Sequence, residues 1–296
     1  MRRRLTDFML LLIILAGLGI FLYPSFSDYW NSFHQSRAIA SYAEAVADID
    51  NTQYEEILAE AREYNRRLLK HGFSLELSDE EKEEYNRILR VTENGVMAYI
   101  DIPKINCSLP IYHGTDENVL QIAIGHLEGT SLPVGGAGTH AVLSGHRGLP
   151  SAKLFTDLDK MREGDTFTIQ VLNEYLIYEV DQILTVLPYE LDSLRITPGM
   201  DYCTLITCTP YGINTHRLLV RGHRTDHIGE AVEKKSTRIK PDASWVEASI
   251  VGLVTASFLL ILLLLYLGIR QLGRSIENNR RKKAGLMPVW YTVPKE

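Results

Sequence analysis

Cysteine is scarce in this chain of 296 residues: Cys107, Cys203 and Cys208 are all it has. An odd count excludes a framework in which every cysteine is bridged and leaves at least one free thiol. Cys203 and Cys208 lie five positions apart in a strand-like run, which at about 3.3 Å per residue separates them by roughly 16 Å. A disulfide needs Cα atoms within about 7 Å. Without a sharp turn the two stay unpaired, and the thiol of Cys208 requires another explanation. Their spacing also lacks a C-x2-C knuckle, so no zinc site is expected. A phosphate-binding loop is missing too, because Gly135-Gly136-Ala137-Gly138 is followed by no Lys-Ser/Thr pair and reads as a plain loop. No cofactor is expected. Positive charge is short: residues 25–269 hold 21 Lys and Arg against 34 Asp and Glu, a net charge of −13, which argues against nucleic acid as a partner.

Two long apolar runs are present, at residues 8–23 and 248–269, and neither contains a charge. A spanning helix takes roughly 20 apolar residues, so the second run qualifies outright and the first is short. Pro24, Phe26 and Tyr29 follow the first run where a cleaved leader would show small residues, which predicts an uncleaved anchor. Arg2, Arg3 and Arg4 precede the first run, and Arg270, Arg274, Arg280, Arg281, Lys282 and Lys283 follow the second. Basic flanks stay in the cytoplasm, so the chain is expected to cross a cell membrane twice, with both termini inside and the middle outside. The expected divisions are an anchor at 1–24, an extracellular helical region at 25–94, a β domain at 95–226, a linker at 227–247, a second span at 248–269 and a basic tail at 270–296.

Within the helical region, Thr52 with Glu55 and Ser78 with Glu81 fit capping boxes, and Gly72 can end the helix that Thr52 opens. The segment between these helices, His71-Gly72-Phe73-Ser74-Leu75-Glu76-Leu77, is a candidate lid over 70–78 or a simple interhelical loop. From Gly95 onward the texture changes to short alternating runs: VMAYIDI, LPIYH, HAVLSG, TFTIQV, YLIYEVDQILTVL, YCTLITC and RLLVRG. Such runs, punctuated by Gly and Pro, indicate an all-β barrel or sandwich. Short helices are expected near 116–124 and 151–161.

Cys208 ends the run Thr204-Leu205-Ile206-Thr207 and is followed by Thr209-Pro210-Tyr211-Gly212. A strand that stops at a Pro and Gly turn leaves its last side chain at a rim. A thiol attacks carbonyls as thiolate, so a nucleophilic cysteine needs a neighbouring base or cation. His146 is placed for this in Ser144-Gly145-His146-Arg147-Gly148, just after the strand HAVLS. Acyl transfer also needs a donor for the developing oxyanion. In His216-Arg217-Leu218-Leu219-Val220-Arg221, alternation puts Arg217, Leu219 and Arg221 on one face. If the strands of Cys208 and Arg217 are neighbours, the guanidinium can reach the thiol. Arg147 and Arg221 read as solvated arginines or as steering groups for a carboxylate, Cys203 as core and His140 as structural.

TLITC, the histidine in LSGHRG and the arginine in NTHRLLVRG, in that order, resemble the motifs of sortases, the cysteine transpeptidases of Gram-positive cell surfaces. The similarity runs from about Gly95 to Arg224. It implies a closed sortase-type β-barrel in which Cys208 is the nucleophile, His146 the catalytic histidine and Arg217 the catalytic arginine. The stretches YIDIPKINCSLPIYHGT, GHLEGTSLPVGG and TCTPYGINTHRLLVRGHR, with a membrane run on either side of the domain, resemble class C, the pilin polymerases. One departure is that class's Asp-Pro-aromatic lid, since no Asp-Pro occurs in this chain. Phe73 and Leu75 are candidate plugs in its place.

The resemblance implies a substrate with an LPXTG-like sorting signal, cleaved through a Cys208 thioacyl intermediate and passed to a pilin lysine as an isopeptide bond. The alternatives are a housekeeping sortase that joins proteins to a peptidoglycan amine, and a membrane assembly scaffold without activity.

Overall fold

The computed structural model describes residues 2–226 and, within 268–285, all positions but 269 and 272. The linker expected at 227–247 and the span expected at 248–269, Gly268 excepted, lie outside the described residues. The chain divides into two compact units, one of residues 1–21 with 240–296 and one of residues 22–239. In the first, residues 273–283 of the basic tail are helical.

Helix α1 runs over Arg2–Ala47 with Pro24 inside it. A proline in a helix removes one hydrogen bond and bends the axis without having to end it, so the boundary expected at residue 24 falls within a helix. Its stretch from Leu12 is apolar enough to cross a membrane, with a mean hydropathy of 1.4. Helix α2, Asn51–His71, buries Leu58, Ala61, Tyr64 and Asn65 along one stripe. Its N-cap is Asp50, whose carboxylate accepts from the Thr52 and Gln53 N–H groups at 2.8 and 2.9 Å. Asp50 thus satisfies the donors of the first turn, and the box expected at Thr52 and Glu55 does not form. Gly72 closes α2 at φ 79°, donating to the Leu68 carbonyl. Helix α3, Asp79–Arg87, starts at the expected capping box of Ser78 and Glu81.

Eight strands follow: β1 Val96–Ile102, β2 Cys107–His113, β3 Ile124–His126, β4 Thr139–Ser144, β5 Thr166–Val171, β6 Glu174–Val186, β7 Asp201–Thr209 and β8 His216–Arg224. They close into a barrel in the order β1-β2-β3-β4-β7-β8-β6-β5. The expected choice between barrel and sandwich is therefore settled as a closed barrel, which leaves no free sheet edge. Two neighbour pairs are parallel, β2 with β3 and β4 with β7. Helix is scarcer than expected between the strands. Near 116–124 only Glu117–Leu120 is helical, as α4, and Ile124 already belongs to β3. Over 151–161 a single 3-10 turn, Leu158–Lys160, replaces a helix.

The barrel interior is filled by the inward side chains, including Phe167, Tyr178, Cys203, Leu205, Leu218 and Val220. Phe167 and Tyr178 stack with centroids 5.5 Å apart. A Cβ at Gly222 would stand 2.8 Å from Phe167 Cε1, so only glycine fits there.

The helices are tied to the barrel by buried polar side chains. Asn65 donates to the Leu132 carbonyl and accepts from the Leu132 N–H, at 3.0 and 2.7 Å. Tyr42 donates to the Met97 carbonyl and accepts from the Leu172 N–H. Tyr85 lies 2.9 Å from Nδ1 of the fully buried His126. His126 Nε2 faces the Ser131 carbonyl at 2.8 Å. A carbonyl only accepts, so Nε2 carries the proton and Nδ1 accepts from the Tyr85 hydroxyl. Burial holds this imidazole neutral, with its pKa lowered to about 4.

Candidate active site

The parallel pairing of β4 with β7 sends the C-terminal ends of both strands to the same rim. Their last paired residues are Ser144 and Ile206. The match carries on into the loop, because the Gly145 N–H donates to the Ile206 carbonyl at 3.1 Å and the Thr207 hydroxyl donates to the Gly145 carbonyl at 2.7 Å. The next residue along the chain beyond these contacts is His146 on one side and Cys208 on the other. A Cβ at Gly145 would lie 2.5 Å from Ile124 Cδ1 and 2.8 Å from Phe155 Cδ2, so a larger residue could not seat the loop this way.

Strand β8 returns antiparallel from the same rim, and its register puts Arg217 directly opposite Cys208. Directly paired residues on antiparallel strands point to the same face. The thiol thus lies between the imidazole loop on one side and the guanidinium strand on the other, and the three expected site residues meet at one end of one sheet. Cys208 is partly exposed, whereas Cys107 and Cys203 are buried, and none of the three forms a disulfide. Burial pushes the Cys203 thiol up, which keeps it protonated and inert.

Arg217 Nη1 donates to the carbonyls of Asn214 and His216, at 3.3 and 3.2 Å. These two bonds brace the guanidinium at the rim. His146 Nε2 lies 3.9 Å from a carboxylate oxygen of Glu117 at the start of α4. Sequence reasoning missed Glu117, and no local pattern around it points to the imidazole.

Beside the thiol, the same outer face carries an apolar band. Ile206 pairs with Leu219, and Leu219 with Leu184, giving a row next to the Cys208 row. Val142, Leu194 and Leu219 form the buried centre of this cluster. Phe73, from the connector between α2 and α3, packs onto it. Leu75, the other candidate plug, is exposed.

The remaining candidates have internal partners. Arg221 makes a two-pronged ion pair with Asp181 at 3.0 Å on each prong and lies over the Tyr202 ring. His140 is buried between the Arg195 carbonyl and the Thr204 hydroxyl. Arg147, expected in solvent or as a steering group, has a side chain only 9% exposed and pairs with Asp159.

A mainly-β barrel with a thiol, an imidazole and a guanidinium on one rim defines a cysteine acyl-transfer scaffold. The family comparison gives the same class: residues 100–225 match the Sortase domain. Sortase C1 from Streptococcus agalactiae is 54% identical, with a TM-score of 0.63 over 64% of this chain and 99% of that one. Clostridium perfringens sortase C, solved with a C-terminal cell wall sorting motif, is 45% identical, with a TM-score of 0.57 over 64% of this chain and 99% of that one. Sortase SrtE1 of Streptomyces coelicolor is 29% identical over 160 residues, 49% of this chain and 43% of the relative, so the match spans less than half the length of that relative. The chain belongs to the sortase family of cysteine transpeptidases.

Proposed function

We propose that this chain is a class C sortase that cleaves an LPXTG-like sorting signal and transfers the acyl group to a pilin lysine. The observation that carries the acyl-transfer chemistry is the register of Cys208 opposite Arg217, and the 54% identity to sortase C1 supports the class. In the proposed cycle the Cys208 thiolate adds to the Thr–Gly carbonyl, and the carbonyl oxygen takes up the negative charge. Arg217 donates to that oxygen. The C–N bond then breaks, and His146 as imidazolium gives its proton to the departing glycine amine. A thioester on Cys208 remains. The incoming lysine amine loses a proton to His146 as it attacks, the C–S bond breaks and an isopeptide bond forms.

The apolar band of Ile206, Leu219, Leu184 and Val142 suits the apolar residues of such a signal. Phe73 packs on this band and would have to leave when the signal enters, so the 70–78 segment is proposed to act as a lid without an Asp-Pro. Anchorage at both ends of the domain, through the run at 8–23 and the run at 248–269, would confine enzyme and membrane-bound substrates to one plane and raise their effective concentration. Both termini would then be cytoplasmic and the barrel extracellular.

Competition between two amines tests the class. The detergent-solubilised chain is given an LPXTG-type peptide with equal concentrations of a lysine-bearing pilin peptide and a peptidoglycan-stem amine. Preferential ligation to the lysine supports the pilin polymerase. Preferential ligation to the stem amine would assign the chain to cell-wall anchoring instead.

A further inference from the structure

Arg147 follows His146 directly, yet its guanidinium reaches across the rim to the loop that follows Cys208. Nη1 donates to the hydroxyl of Thr209, the residue after Cys208, at 3.3 Å. Nη2 pairs with Asp159. The guanidinium carbon lies 5.7 Å from the centroid of the Tyr211 ring. The same ring rests on Gly148, where an added Cβ would come within 3.0 Å of Tyr211 Cε2. The segment gripped in this way, the end of β7 at Thr209 with the turn over 210–215, also holds Arg217, because the Asn214 carbonyl accepts from its Nη1.

We propose that Arg147 is the positioning residue of this centre. It clamps the His146 loop to the loop between Cys208 and Arg217, and so sets the distance at which imidazole, thiol and guanidinium meet. The inference rests on the reading of the rim as a Cys–His–Arg centre. Arginine suits the task because one planar fork addresses Asp159 and Thr209 in two directions while its face covers Tyr211. Lysine is a point charge and can serve only one of these partners at a time. Arg147 Nε is buried with no hydrogen-bond partner among the described residues. An unsatisfied buried donor costs stability, a cost set against the placement that the other contacts of this side chain enforce.

The test compares the full chain in detergent with Arg147→Lys and Thr209→Val. The second variant cuts only the link to the Cys208 loop and leaves the Asp159 pair in place, so it answers even if Arg147 variants fold poorly. The readout is the rate of Cys208 alkylation by iodoacetamide across pH, followed by mass spectrometry, with thermal melting alongside. The expected result is a displaced pH profile in both variants, with rates changed by about threefold or more because the groups that set thiol reactivity have moved. In sorting-peptide cleavage, kcat is expected to fall by roughly tenfold with KM nearly unchanged, as for misplaced reacting groups. Alkylation profiles that superimpose on the wild type, whatever the melting temperature, overturn the inference. If the profiles are displaced but the wild type leaves the sorting peptide intact, the positioning role stands and the sorting-signal reading falls.

Discussion

Cys208 and Arg217 are direct partners across the β7–β8 ladder, so thiol and guanidinium share one face by strand register alone. In the proposed cycle Arg217 is worth most when charge develops on the carbonyl oxygen. Replacing Arg217 by Ala is expected to lower the single-turnover rate of thioester formation by about 10²–10³, the usual loss for one oxyanion donor. Lysine keeps the charge without the fork and is expected to recover only part of the rate. An unchanged rate in Arg217→Ala would remove the residue from the mechanism.

With 70–78 as the proposed lid, the seat of Phe73 against the cluster of Val142, Leu194 and Leu219 would set substrate entry and lid departure in competition. Phe73→Ala removes the apolar contact and leaves the helices on either side. Loss of about 1–2 kcal/mol of closed-state preference corresponds to roughly 5–30-fold easier access. The prediction is a rise of that order in kcat/KM for the sorting peptide, with little change in thermal melting. A fall, or no change, would make the connector a plain interhelical loop.

His126 predicts how the fold answers to acid. Its folded pKa, about 4, lies below the ordinary histidine value of about 6.5. The unfolded chain therefore binds one more proton between these two values, and stability rises with pH there. This contribution is fully present above about pH 6.5 and lost as the pH falls towards 4. Urea titrations at pH 7, 6, 5 and 4 should show the decline. In His126→Asn, stability at pH 7 should be lower and the slope between pH 6 and 5 shallower. An identical slope would mean that other groups carry the acid sensitivity.

Asn65 serves Leu132 as a stand-in for a neighbouring strand, satisfying both its N–H and its carbonyl. Asn65→Ala leaves both groups buried without these partners. A loss on the order of 3 kcal/mol is expected, read as a lower urea midpoint with the slope unchanged. The docking of the helical region on the barrel is expected to weaken, visible as faster amide exchange at Leu132. A change below about 0.5 kcal/mol would place the helix docking elsewhere, as for an ordinary surface substitution.

Local pattern was enough to mark β5 at Thr166–Val171 and β1 at Val96–Ile102 at their observed bounds, because alternation and flanking turns suffice for such strands. It was also enough for the shared face of Arg217, Leu219 and Arg221. β3 escaped notice: Ile124-Gly125-His126 is too short to alternate. The parallel match of β4 with β7, which carries the His146 loop to the Cys208 end of β7, joins residues about 60 positions apart and leaves no trace in either segment. The partners of Arg147 were hidden for the same reason. An arginine beside a catalytic-type histidine reads as solvated until Asp159, Thr209 and Tyr211 fold around it. Asp50 took the cap from Thr52 because a carboxylate two positions earlier reaches the same N–H groups, a contest that a capping-box pattern does not weigh.

The most direct measurement is mass spectrometry of the detergent-solubilised chain after exposure to an LPXTG-type peptide, with and without an amine acceptor. The account predicts an acyl adduct on Cys208 that disappears into ligated product when the amine is added, and no adduct in Cys208→Ala. An adduct on neither the wild type nor Phe73→Ala, whose groove should be open, would contradict it.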